Sequence, residues 1–490
     1  MIGRTLDDAV ESGSTAPAGL LIGGKRLGAS DGARFAVLAP ATGDPLASVA
    51  SATPDDASRA VEAAAQAMPA WAAAPPRHRA EVLRLAFDLM TKRAEDFAYL
   101  ISSENGKAIT DARTEVSYAA EFLRWYAEEA VRVGGVFQTA PSGAGRILVQ
   151  RQPVGVAVLV TPWNFPAAMI TRKIGPALAA GCSVVVKPAS DTPLTALALG
   201  ELLTEAGVPS GVVNVIPARR SGAVVSAMLA MPAVRKLSFT GSTEVGRALL
   251  AQAAERVVNC SMELGGNAPF LVLADADLDE AVSGAMIAKM RNGGEACTAA
   301  NRFYVHSSVA NEFSSRLADA MSQLRVGPGT EEATQLGPLI NPEAVQTVAR
   351  LVTDAVGKGA DVLTGGYALQ RPGYFYAPTV LDRVPTDASV LREEIFGPVA
   401  PVVRFDDVAD AVAMANDTEY GLVSYVYTGD LAAGLRVSEQ LDSGMVGLNR
   451  AVVSDPAAPF GGVKQSGLGR EGGHEGLLEY TEAKYVAAQW

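Results

Sequence analysis

Val156-Ala-Val-Leu-Val160 runs directly into Thr161-Pro162-Trp163-Asn164-Phe165-Pro166. A helical stretch, Ala167 to Ala180, and a second apolar run, Ser183 to Val186, follow. A short β-branched run, a proline-bounded turn, a helix and another such run make a strand–turn–helix–strand unit. Its natural form is a right-handed crossover between parallel strands. The charge-free stretch from Gln152 to Thr171 is long enough to span a bilayer. It contains Pro153, Gly155, Pro162 and Pro166, and reads as buried core rather than a membrane span.

The alternation extends both ways. Upstream, Ala57 to Met68 and Arg79 to Ser103 are helical. Downstream come a helix from Leu194 to Ala206 and strands at Val212 to Ile216 and Lys236 to Phe239. The pattern restarts near Glu263, with a strand at Phe270 to Leu273, a helix from Leu278 to Arg291 and a strand at Arg302 to Val305. Two α/β units with parallel sheets are therefore expected. The segments near 129–152 and the C-terminal tail fit neither unit. Gly145 to Gln150 is expected to pair as a strand with Lys484 to Ala487, across a subunit contact.

The chain has 490 residues, 49% of them hydrophobic and 19% charged, which suits large buried cores and excludes global disorder. Its formal net charge is −12 and its longest basic runs are pairs, so no nucleic-acid partner is expected. Three scattered cysteines, Cys182, Cys260 and Cys297, do not form a disulfide framework and suit a reducing cytoplasm. The three histidines show no metal-ligand spacing, so no metal site is expected. The N-terminal MIGRTLDDAVESG lacks the apolar centre of a signal peptide.

Five segments can carry chemistry. Cys297 follows a glycine pair in Arg291-Asn-Gly-Gly-Glu-Ala-Cys297, where free backbone N–H groups can lower a thiol pKa; a structural cysteine is the alternative. Glu263, in Met-Glu-Leu-Gly-Gly, is either a desolvated general base or a turn glutamate. Asn164, at a strand end, either donates to an oxyanion or caps a helix. Phe239-Thr240-Gly241-Ser242-Thr243-Glu244-Val245-Gly246 joins a strand to a helix, a junction suited to pyrophosphate. Lys187, ending another strand before Pro188-Ala189-Ser190, can meet a ribose or phosphate, or is a solvated turn lysine.

Taken in order, these segments together with Glu393-Glu394-Ile395-Phe396-Gly397-Pro398 and Pro459-Phe460-Gly461-Gly462 resemble the aldehyde dehydrogenase superfamily over nearly the whole chain. The resemblance implies a Rossmann-type cofactor domain (1–128 and 153–262) and an α/β catalytic domain (263–452). It also implies a small β oligomerisation element (129–152 and 476–490), with 453–475 returning to the cofactor side. It implies that Cys297 attacks the aldehyde, that Asn164 and the Cys297 N–H hold the oxyanion, and that hydride loss leaves a thioester which water, activated by Glu263, hydrolyses. The presence of Glu263 argues against a CoA-acylating member. Thr161, Trp163, Lys187, Ser190, Thr240, Gly241, Ser242, Gly246, Leu264, Glu394 and Phe396 are implied to bind NAD or NADP. Many NAD-specific relatives carry Glu where Ser190 stands, so NADP is expected to be accepted.

The strings around Arg172 and Arg291 resemble those of succinate-semialdehyde dehydrogenases. There both arginines and a serine at the position of Ser454 grip the substrate carboxylate, and Phe165 joins the substrate site. Arg172, eight residues past Asn164, is expected within about 80° of it on one helix face. The expected substrate is succinate semialdehyde, with glutarate semialdehyde, similar acids and uncharged aldehydes as alternatives. A cofactor-independent thiol esterase and a non-catalytic binding protein on this fold are the competing classes. Ala299 stands where relatives often carry a second cysteine, so no redox disulfide is expected. Glu295 stands where Gln is common, and its charge is expected to raise the thiol pKa or repel an anionic substrate. A homodimer or homotetramer is expected, as in the family.

Overall fold

A computed structural model describes residues 18–489. The N-terminal segment read as lacking a signal peptide, residues 1–13, lies outside them. The first sheet has eight strands. Five parallel strands form its centre, in the order Asn259–Glu263, Val234–Thr240, Val156–Val160, Val184–Lys187 and Val213–Val215. Val156–Val160 and Val184–Lys187 are buried along their whole length, as strands covered on both faces must be. Antiparallel strands complete the edges: Leu20–Ile22 and Lys25–Leu27 on one side, Gly467–Leu468 on the other. Gly467–Leu468 thereby brings the chain back to the first sheet beside Glu263.

Chain order reverses between Val156–Val160 and Val234–Thr240, which are hydrogen-bonded neighbours although two other strands intervene in sequence. Such a switch point opens a crevice at the carboxyl ends of its strands. Here those ends deliver Thr161 to Asn164 from one strand and Gly241-Ser242 from the other.

The second sheet has seven strands, with Ala268–Val272 and Ala300–His306 adjacent at its centre. A glycine makes the junction between the two units possible. A Cβ added to Gly266 would lie 2.4 Å from the Cys297 carbonyl oxygen, a backbone atom that cannot swing aside.

Arg146–Pro153 and Thr481–Ala488 pair antiparallel, joined by Val136–Thr139 in a separate three-stranded sheet. Lys484 faces Gln150 and Ala487 faces Ile147. The expected pairing thus forms within one chain, not across a subunit contact. No helix among the described residues is long and apolar enough to cross a membrane.

Candidate active site

The helix Leu278–Met290 ends before a tight turn in which Asn292, Gly293 and Gly294 have φ of 53°, 61° and 80°. Two of these are glycines and the third is asparagine, the side chain that best tolerates the left-handed region. The turn reverses the chain and presents Cys297 three residues before Ala300–His306 begins. Cys297 lines a cavity of about 220 Å³ at the switch-point crevice. Asn164, Trp163, Thr240, Gly241, Ser242, Leu264, Glu394 and Phe396 line the same cavity. Trp163 and Phe396 meet edge to face at its wall, ring centroids 5.3 Å apart, and Phe396 takes a φ of 51°, costly for an aromatic residue.

Burial pushes the Cys297 thiol up to about 12. Arg172 and Arg291 oppose that shift, whereas Glu263 and Glu394 reinforce it. Burial likewise holds the Glu263 carboxyl well above the usual range, with Glu471 adding to the effect and Arg172, Lys173 and Arg470 opposing it. Glu263 Oε2 is buried without a hydrogen-bond partner. Both groups hold their protons more tightly than usual, and Glu263 has a free oxygen to receive or deliver one.

Asn164 lies in the turn before the helix Ala168–Ala180, not on it, so the helical angle expected between Asn164 and Arg172 does not apply. Arg172 is fully buried within that helix. Its guanidinium sits 4.1 Å from the Phe460 ring centroid, donates to Tyr118 Oη at 2.6 Å and lies 3.5 Å from Glu471 Oε2. Arg291 approaches the same tyrosine from another side, 5.8 Å from its ring centroid and 5.1 Å from that of Phe165. Among the described residues no carboxylate lies within ion-pair distance of Arg291. Tyr118, Lys173 and Glu471 have no local signal in the sequence; Glu471 is 299 residues from Arg172.

Glu295 behaves differently from the expectation. Its carboxyl turns away from the thiol and accepts from the Ile340 N–H at 3.0 Å. Burial raises it to about 8, so it is mostly neutral at pH 7 and brings little negative charge near Cys297. Ser454 is half-buried in the irregular segment after Asn449. His306 bonds to Ser308 Oγ at 2.7 Å, which leaves Cys297 without that imidazole as a base. Cys182 is buried and Cys260 is half-buried.

The crevice suits a dinucleotide. Thr240 Oγ1 and Thr161 Oγ1 are buried there without partners. The helix Thr243–Ala254 begins at Ser242, its N-cap, and directs backbone N–H groups toward the cavity mouth. A Cβ at Gly246 would meet Leu264 Cδ2 at 2.4 Å, so only glycine lets the helix approach so closely. Glu394 accepts from the Gly266 N–H at 3.1 Å and is raised to about 7 by burial. Lys187 is buried and lowered to about 8. Ser190 lines a separate cavity, shared with Glu104, Asp191 and Arg219.

The sequence model of the aldehyde dehydrogenase family matches residues 28–486. The chain belongs to the aldehyde dehydrogenase family. It is 56% identical over 441 residues to a succinate-semialdehyde dehydrogenase of Paenarthrobacter nicotinovorans, covering 90% of this chain and 98% of that protein. It is 49% identical over 465 residues to a glutarate-semialdehyde dehydrogenase of Pseudomonas putida, covering 95% and 96%. The crystal structure of an Escherichia coli NADP-dependent enzyme superposes with a TM-score of 0.95 at 49% identity, covering 96% of this chain and 98% of that one. This aldehyde dehydrogenase thus acts on a small aldehyde with a nicotinamide dinucleotide. The cofactor-independent esterase and the non-catalytic protein fall away as primary readings.

Proposed function

We propose that this aldehyde dehydrogenase oxidises succinate semialdehyde to succinate. What supports the substrate is Arg291, a guanidinium without an acidic partner among the described residues, which shares Tyr118 with Arg172 beside the nucleophile. An unpaired guanidinium beside a second one that is shared with Glu471 suits a carboxylate at the far end of a short aldehyde. Phe165, under the Arg291 guanidinium, would give the substrate chain an apolar surface, and Ser454 would supply a hydroxyl. Glutarate semialdehyde, one methylene longer, is the second reading; it draws support from the relative in Pseudomonas putida.

In this reading Cys297 loses its proton to solvent and its sulfur bonds the aldehyde carbon. The carbonyl oxygen gains the electron pair, and the Asn164 amide and the Cys297 N–H donate to it. A bound nicotinamide dinucleotide supplies the hydride acceptor that the oxidation to a thioester requires. Thr161, Trp163, Lys187, Ser190, Thr240 to Ser242, Gly246, Leu264, Glu394 and Phe396 would hold it. Glu263, ionised for this step, then takes a proton from the water that attacks the thioester; the C–S bond breaks, and the Cys297 thiolate leaves and receives that proton. Ser190 introduces no negative charge against a 2′-phosphate, so NADP is accepted; turnover with NAD alone would refute that. The test of the substrate is the ratio of kcat/KM for succinate semialdehyde to that for butanal.

We also propose a homodimer or homotetramer in a reducing cytoplasm. Phe137 and Tyr485, 65% and 61% exposed on the three-stranded sheet, and three free cysteines support these readings. A monomeric mass by light scattering would refute the first.

A further inference from the structure

The oxyanion donor is tied to the nucleophile's turn by a closed set of hydrogen bonds. Asn164 Nδ2 donates to the Glu295 carbonyl at 3.0 Å, leaving its second N–H for substrate. Asn292 Nδ2 donates to that same carbonyl at 2.8 Å and to the Asn164 main-chain carbonyl at 3.0 Å. One side-chain amide therefore bridges the segment that carries the donor and the segment that carries Cys297. Lys107 Nζ adds a second bond to the Asn164 carbonyl, at 2.7 Å. Lys107 is itself fixed by Glu115, whose other oxygen accepts from the Ala167 N–H at 2.8 Å. Asn292 is anchored in turn, since its N–H donates to Asp111 at 2.9 Å. These groups are buried, where a hydrogen bond is strong and a vacant partner is costly.

We propose that Asn292, seconded by Lys107, is a positioning residue that sets the aim of the Asn164 amide relative to the Cys297 sulfur. The inference rests on the proposed role of Asn164 as oxyanion donor. Asn292 takes a left-handed φ of 53°, so Asn292→Gly removes the bridging amide and keeps the backbone unstrained. A donor misplaced by about an ångström costs on the order of 10²-fold, so Asn292→Gly should lower kcat by roughly 10- to 100-fold. The KM values for semialdehyde and NADP should change less than about two-fold, since Asn292 touches neither.

The deciding measurement is kcat for Asn292→Gly in the wild-type and Asn164→Ala backgrounds. If Asn292 works through Asn164, its effect should shrink to under about two-fold when Asn164 is already alanine. An undiminished effect would overturn the proposal. An Asn164→Ala enzyme with wild-type kcat would instead overturn the oxyanion reading beneath it. The paired change Lys107→Met with Glu115→Gln removes the second bond without stranding a charge. It should show the same dependence on Asn164, and an additive loss would overturn Lys107's share. Thermal melting of each variant establishes that the folded enzyme is being compared.

Discussion

Arg291→Met isolates the carboxylate grip from the rest of the catalytic apparatus. The guanidinium lies over Tyr118 and Phe165, with no acid at ion-pair distance among the described residues. Removing it therefore strands no buried carboxylate, unlike removal of Arg172, which would leave Glu471 with Lys173 as its remaining buried cation. Methionine keeps an unbranched apolar stem against Phe165, so the structural cost is small. A hydrogen bond to a charged group contributes about 1.5–3 kcal/mol, which is roughly 10- to 150-fold in kcat/KM. Since Arg172 remains to hold one carboxylate oxygen, the lower half of that range is expected for succinate semialdehyde, expressed mainly in KM. Butanal should lose less than about three-fold, because it carries no carboxylate for Arg291 to hold. Steady-state rates of reduced-nucleotide formation with both aldehydes measure the contrast. An equal loss for both would mean that Arg291 acts on Cys297 rather than on substrate. No loss for either would remove it from the site.

The acid–base groups fix a sign for the pH profile. Cys297 and Glu263 both hold protons more tightly than usual, and both roles need the proton gone, so kcat/KM should rise continuously from pH 6 to 9. A profile falling over that interval would contradict the assignment. Gly266→Ala should reduce kcat at least ten-fold, because its new Cβ displaces the Cys297 carbonyl; an unchanged kcat in a folded variant would refute the close approach. Glu104 caps the helix Pro193–Glu205 by accepting from the Leu194 and Thr195 N–H groups, yet burial raises it from 4.5 to about 7. The folded state then binds the extra proton, so this contribution to stability is complete below pH 4.5 and declines as pH rises through 7. The decline amounts to about 3 kcal/mol at most. Glu104→Gln should flatten the fall in urea midpoint between pH 5 and 8, and an unaltered slope would refute it.

The strand–turn–helix runs were legible because each is local. Val156 to Val160 and the turn after it announce themselves by β-branching and proline, and the glycine pair before Cys297 marks the left-handed turn that exposes the thiol. What escaped depends on contacts distant in sequence. Glu471 reaches Arg172 and Lys173 only because the edge strand Gly467–Leu468 pairs beside Glu263. That two-residue strand is too short for any periodicity. Helix phase does not relate Arg172 to Asn164, because Asn164 precedes the helix; the sheet's switch point joins them. Glu295 was misjudged because adjacency to Cys297 says nothing of side-chain direction, and a backbone N–H from Ile340 decided it.

The central claim is tested most directly by one crossed initial-rate experiment. Succinate semialdehyde and butanal are each assayed with NAD and NADP, with Cys297→Ala as the blank. Turnover with NADP is expected, with a semialdehyde preference in kcat/KM of about 100-fold, the worth of two charged contacts. No rate above background is expected for the blank. Equal or better use of butanal would contradict the carboxylate site, and activity surviving in Cys297→Ala would contradict the chemistry itself.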